Sequence, residues 1–119
     1  MKIQNVGQWG EEKASEYLKQ QGYKILHRNY HTKYGEIDII AEKNDIISFI
    51  EVKTRKNSSY GFPAEFVNYS KQQKIIKTAE IYINTHFSEK KNYKFDIIEV
   101  FYYNSYIFHI NHLKGAFEL

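Results

Sequence analysis

Apolar positions recur at helical spacing from Val6 to Gln21, where Val6, Trp9, Ala14, Tyr17 and Leu18 share one side. Asn5 offers a side-chain cap at the start of this helix and Gly22 a stop after it. A second helical period follows Ser70-Lys71-Gln72-Gln73, which has the form of a capping box, and runs through Ile75, Ile76, Ala79, Tyr82 and Ile83. Elsewhere the pattern is that of strands. Tyr23 to Tyr30 reads as a first strand, and residues 29–34 bridge into a hairpin built from Gly35–Ala41 and Phe49–Arg55. Phe95 to Tyr103 and Tyr106 to Asn111 read as another hairpin around Asn104-Ser105. The order helix, three strands, helix, two strands predicts an α/β fold with a mixed central sheet and flanking helices.

Both strands of the first hairpin carry charge where apolar residues are expected. Asp38 is flanked by Ile37 and Ile39, and Glu51 and Lys53 are flanked by Ile50 and Val52. A charge in such surroundings must pair, bind a cation or reach solvent in a cleft. Asn44 and Asp45 suit the positive backbone angles of a two-residue hairpin loop, which sets Asp38 opposite Glu51, Ile40 opposite Phe49 and Glu36 opposite Lys53. Side chains alternate along a strand, so Asp38, Glu51 and Lys53 are expected on one face, with Ile37, Ile39, Ala41, Ile50 and Val52 on the other. One face is then core and the other a site.

Opposed carboxylates repel unless positive charge lies between them. Magnesium needs one or two carboxylates and completes its shell with water and substrate phosphate, so Asp38 and Glu51 suffice, with manganese as the other choice. Lys53 is then placed to orient or help deprotonate an attacking water and to stabilise charge on a phosphorane-like transition state.

The chemistry and spacing here resemble the active-site motif of the PD-(D/E)XK nuclease superfamily: Asp38, then Glu51-Val52-Lys53 thirteen residues on. A narrower match covers nearly the whole chain. Gly7-x-x-Gly10-Glu11-x-x-Ala14, Arg28-Asn29-Tyr30, Gly35-Glu36-Ile37-Asp38, Glu51-Val52-Lys53-Thr54-Arg55, Gly61-x-Pro63, Lys71, Phe95-Asp96 and Gly115-Ala116-Phe117 resemble the YraN family of small bacterial nuclease-like proteins. The resemblance implies a restriction-endonuclease-like αβββαββ core, akin to archaeal Holliday-junction resolvases, and a metal-dependent endonuclease acting on DNA, with branched or junction DNA as one substrate form. It assigns catalysis to Asp38, Glu51 and Lys53, and metal binding to Asp38, Glu51, Glu11 and Val52. The proline that gives the superfamily its name is replaced by Ile37. A homodimer is compatible with the resemblance, because resolvases cut two strands symmetrically.

Composition narrows the setting. The chain has 119 residues, enough for one domain spanning 1–119 with a real core and too few for a second. It has no cysteine, which removes disulfides and thiolate zinc sites. No apolar run approaches the length of a bilayer span, and Met1-Lys2-Ile3-Gln4-Asn5 lacks the apolar stretch of a signal peptide, so a cytoplasmic location without membrane contact is expected. The net charge is +3, and the basic residues are grouped: His27-Arg28 with His31 and Lys33, Lys53 with Arg55-Lys56, then Lys71, Lys74 and Lys77, and Lys90-Lys91 with Lys94. Arg55, Lys56 and Lys71 are the expected phosphate contacts, while Lys74 and Lys77 have the spacing of a solvated helix face.

Lys56 to Pro63 has turn chemistry and the one proline, so it is expected as a loop beside the catalytic strand, where Tyr60 and Phe62 could stack on bases. Glu11 lies near the first helix's N-terminus, which favours an acid there in any case, and Glu12 and Glu16 are expected to be solvated. Asp96 is expected to pair with a nearby lysine or arginine. The five histidines are scattered, and His27 and His31 do not align on a strand as they would on a helix, which argues against a histidine metal site. Two further readings compete with the nuclease. One is a nucleic-acid-binding module in which Lys53 forms a salt bridge with Glu36 or Glu51. The other is a structural partner whose charged sheet face meets another chain.

Overall fold

The computed structural model describes residue 3 and residues 5–56, 68–104 and 106–117. Helix α1 (Val6–Gln20) begins where Asn5, in extended conformation, accepts a 3.0 Å hydrogen bond from the Gln8 N–H. It ends at Gly22, whose φ of +91° lets the Tyr23 N–H return to the Leu18 carbonyl at 2.9 Å. Strands β1 (Lys24–Thr32), β2 (Gly35–Lys43) and β3 (Ile46–Lys56) follow in antiparallel succession. Helix α2 (Tyr69–His86) then carries the chain to β4 (Asn92–Tyr102), which lies parallel to β3, and β5 (Phe108–Phe117) returns antiparallel to it. Strand order in the sheet equals order in the chain, and the sequence of elements is the expected αβββαββ.

The hairpin loop sets the expected register. Asn44 and Asp45 have φ of 52° and 66°, and Ile40 pairs with Phe49 and Ile39 with Ile50. The expectation of one core face and one open face does not hold, because helices cover both sides of the sheet. Ile37, Ile40, Ile47, Phe49, Phe95 and Ile97 pack against Ile75, Ile76, Ala79 and Tyr82 of α2. Ile39, Ala41, Ile50, Ile98 and Val100 pack against Ala14 and Leu18 of α1 and against Tyr23. Ile37 and Ile39, expected on one face, thus lie on opposite ones.

The cause is a break in alternation shared by two strands. Asn29 has φ of 54°, and it lies between the pairs Arg28 with Ile39 and Tyr30 with Ile37, which puts it across from Asp38. In β1 both His27 and Tyr30 consequently reach the ring of Tyr82 on the α2 face, at 6.4 and 5.1 Å between centroids.

Several boundaries differ from the sequence reading, among them the start of β4 at Asn92 in place of Phe95 and of β5 at Phe108 in place of Tyr106. β1 continues to Thr32 and pairs there with Gly35, so the bridging turn is confined to Lys33 and Tyr34. α2 starts two residues earlier than the capping box indicates, because Asn68 is the cap and accepts the Lys71 N–H at 2.9 Å. β5 extends to Phe117 through a bulge at Gly115, whose φ is 62° and whose N–H is taken by Asp96 at 2.9 Å. No helix among the described residues is long and apolar enough to cross a membrane.

Candidate active site

Beyond the Ile39–Ile50 pair the backbone ladder between β2 and β3 stops, and a side chain takes over. The Val52 N–H donates to Asp38 Oδ2 at 2.8 Å, which ties the carboxylate of β2 to the backbone of β3. Glu36 and Lys53, expected to face each other, are separated by this divergence, and Glu36 instead meets His31 on the surface at 2.6 Å. Asp38 is pushed up to about 7, by burial first and by the charge of Glu51 second, with the Val52 N–H pulling the other way. The two expected carboxylates therefore do act on one another.

Glu51 is largely buried and accepts from Lys71 Nζ at 2.6 Å, so the lysine at the start of α2 points at the acidic site. The hydrogen bond to Glu51 in turn raises Lys71 above its ordinary value, against the effect of burial. Lys53 lies two residues beyond Glu51 on the same row of β3, half-buried, and has no hydrogen bond or ion pair among the described residues. Arg55 continues that row and donates through Nε to Glu99 Oε2 at 3.1 Å.

Glu99 was not among the residues that the sequence reading singled out. It is 1% exposed, it neighbours Lys53 across the parallel β3–β4 ladder, and Asn111 Nδ2 donates to its other oxygen at 2.9 Å. The signal was available, since Glu99 stands between Ile98 and Val100 just as Glu51 stands between Ile50 and Val52. Its effect is to hold Arg55 down on the sheet beside Lys53.

Glu11 reaches the site from α1. It is raised chiefly by burial, which the charge of Arg28 and a hydrogen bond with Asn29 oppose. Its neighbour Glu12 is not merely solvated, because Arg28 Nη1 donates to it at 2.9 Å. Glu16 likewise has a partner, Lys13 at 3.4 Å. Glu11 lines an open cleft of about 590 Å³ together with Asn5, Gly7, Gln8, Arg28 and Asn29. A second cleft of about 370 Å³, lined by Gly35, Glu36, Asn68, Ser70, Lys71 and Lys74, opens at the start of α2. The N-termini of both helices thus border the same end of the sheet, where backbone N–H groups favour anions.

The structure brings Asp38, Glu51 and Lys71 together, with Lys53 and Arg55 next along β3 and Val52 joined to Asp38 through its N–H. Glu11 acts on Asp38 through charge, and no group of three or more acidic or histidine side chains able to hold an ion forms among the described residues. A divalent ion would rest on Asp38 and Glu51, a donor set that suits magnesium when water and phosphate fill the remaining positions. Lys56 is exposed at the end of β3. Tyr60 and Phe62, with the rest of the expected loop beyond Lys56, lie outside the described residues. Asp96 pairs with Lys94 at 3.6 Å as expected, but its shorter contact is with His112 Nε2 at 2.8 Å.

Fold and site together define a small α/β protein, consistent with a restriction-endonuclease-like core, with two carboxylates where β2 and β3 part in a five-stranded mixed sheet. Residues 10–100 match the model of the uncharacterised protein family UPF0102, the family of YraN-like proteins, and the chain belongs to it. A UPF0102 protein of Persephonella marina is 46% identical over 113 residues, covering 95% of this chain and 93% of the relative. One from Clostridium tetani is 47% identical over 116 residues, covering 96% and 94%. Another from Caldicellulosiruptor saccharolyticus is 41% identical over 118 residues, covering 98% of this chain and all of its own.

Proposed function

We propose that this chain is a metal-dependent endonuclease of the PD-(D/E)XK type, hydrolysing phosphodiester bonds in DNA, including branched or junction DNA. The observation that carries this reading is the Val52 N–H bond to Asp38, which holds one carboxylate beside another where the strands part. A fold gains nothing by forcing two acids together unless a cation joins them. Magnesium or manganese held by Asp38 and Glu51 would supply Lewis-acid polarisation of a phosphoryl oxygen and of a water.

The chain's own groups do the rest. The N-termini of α1 and α2 attract the phosphate backbone to this end of the sheet. Lys53 faces the reacting phosphate from the row of Glu51, where its ammonium orients the attacking water and offsets charge that builds on the phosphoryl oxygens. Arg55, fixed by Glu99, and the exposed Lys56 bind neighbouring phosphates. Lys71, now paired with Glu51, would be free to hold substrate phosphate if Glu51 served a cation.

The nucleic-acid-binding alternative has one observation in its favour: Lys71 already neutralises Glu51 at 2.6 Å. Against it, neither Glu36 nor Glu51 pairs with Lys53, since His31 and Lys71 occupy them. The test is cleavage of labelled single-stranded, duplex, flap and four-way-junction DNA with magnesium, manganese or chelator, comparing wild type with Asp38→Ala and Lys53→Ala. Metal-dependent cutting lost in both variants is the expected result. Tight binding without cutting by the wild type would replace the enzyme by the binding module.

A further inference from the structure

Among the described residues, exposed large apolar side chains occur singly at Tyr34, Ile46 and Tyr69, but gather at the tip between β4 and β5. Tyr103 is 50%, Tyr106 76% and Ile107 58% exposed. Such a group on a hairpin tip marks a contact surface. The described residues of the tip are tied to one another by hydrogen bonds. Asn104 Oδ1 accepts the N–H groups of Tyr106 and Ile107 at 2.8 and 2.9 Å, and the Tyr103 N–H donates to the Ile107 carbonyl at 2.9 Å. Trp9 of α1 braces its base, edge-on to Tyr102 at 5.7 Å and to Phe108 at 5.5 Å. The backbone that carries the two rings is therefore ordered before binding.

Charge selects the partner. From Val100 to Phe117 the sequence has no Asp or Glu. Lys56 is the ladder neighbour of Tyr102, and Lys13 lies 5.5 Å from the centre of the Phe108 ring. Exposed rings set among cations fit a polyanion with planar faces, which is a nucleic acid with unpaired bases. Because β3 and β4 are parallel, the tip lies at the same end of the sheet as the carboxylates. Glu51 is level with Ile97 and Lys56 with Tyr102, so the base of the tip at Tyr102 lies five residues past Glu51, about 16 Å at the rise of a strand.

We propose that Tyr103 and Tyr106 stack on unpaired bases next to a duplex, so that the β4–β5 tip selects substrates in which strands part. This rests on the nucleic-acid reading of the site and names its substrate form. The distance from the carboxylates corresponds to about five base steps of duplex.

The test uses the full chain with DNA carrying the fluorescent base 2-aminopurine at successive positions, in a plain duplex and in a fork with unpaired arms, in chelator. The expected result is a fluorescence change confined to unpaired positions about five nucleotides from the site of cutting. Tyr103→Ala with Tyr106→Ala should weaken fork binding about tenfold and leave duplex binding unchanged, and Tyr106→Phe should bind like wild type. A double variant that binds fork and duplex as the wild type does would overturn the proposal alone. A wild type that binds neither DNA would overturn it together with the nuclease reading. Loss of self-association in the double variant with DNA binding intact would assign the tip to a second copy of the chain instead.

Discussion

Lys71 and Glu51 meet at 2.6 Å across the gap between the first turn of α2 and the end of β3, so the charge that would face a metal is already matched by an ammonium. An ion bound there would compete with Lys71 for one carboxylate. Lys71→Met should bind magnesium more tightly than wild type in titration calorimetry. Without metal it should lose less than about 1 kcal/mol of stability, because half of the Lys71 side chain is exposed and solvent screens the pair.

Asp38 gives stability a pH dependence of definite sign. Its carboxyl is raised in the folded protein from 3.8 to about 7, so between those values the folded state holds more protons than the unfolded state. Its contribution to stability accordingly falls as pH rises through that window. Asp38→Asn should remove this slope and melt higher than wild type at pH 8 in chelator, with added magnesium narrowing the difference. Urea unfolding of both proteins at pH 5 and pH 8 measures it.

Asp96 has the opposite sign. Burial opposes its ionisation, but His112, the Gly115 N–H and Lys94 outweigh burial and leave it below its ordinary value. Its contribution is present above the unfolded value of 3.8 and is lost as pH falls through the lower folded value. Tyr17 of α1 joins the same network, its hydroxyl lying 3.0 Å from His112 Nδ1. Asp96→Ala should cost about 3 kcal/mol in denaturant unfolding at pH 7, because it strips a buried network of its acceptor. Tyr17→Phe, which keeps the ring, should cost about 1 kcal/mol.

Gly10 fixes how closely α1 approaches β3. A Cβ there would lie 1.8 Å from Thr54 Oγ1 and 3.0 Å from Thr54 Cβ, so Gly10→Ala must displace the Thr54 side chain, the helix or both. The expected loss is about 1–3 kcal/mol, and Thr54→Ala should recover part of it in the double variant. Glu11 moves with the helix, so cleavage by Gly10→Ala should fall more than its folded fraction does.

The features legible in the sequence were those set locally. Asn44-Asp45 announced the hairpin and its register because two adjacent residues with positive φ admit few alternatives. Asp38 and Glu51 stood out because each interrupts an apolar run. The break of alternation at Asn29 was not legible, since it exists only where β1 and β2 bend together across from Asp38. The last part of β5, beyond the expected end at Asn111, was hidden because Asp96, far away in the chain, accepts the Gly115 N–H and turns Gly115 into a bulge. Glu99 shows a different miss. Its apolar flanks carried the same message as those of Glu51, but nothing nearby in sequence linked it to Arg55.

The single parallel pair, β3 and β4, has a consequence for how this surface could change. To enter β4 alongside β3, the chain must travel back along the sheet, and α2 makes that journey. Its first turn is thereby committed to the end of β3 where Glu51 and Lys53 stand. The electropositive pole at that end is inherited from the route of the backbone. Exchanging every lysine there for a neutral residue would lower affinity, yet the place where an anion is drawn in would stay the same.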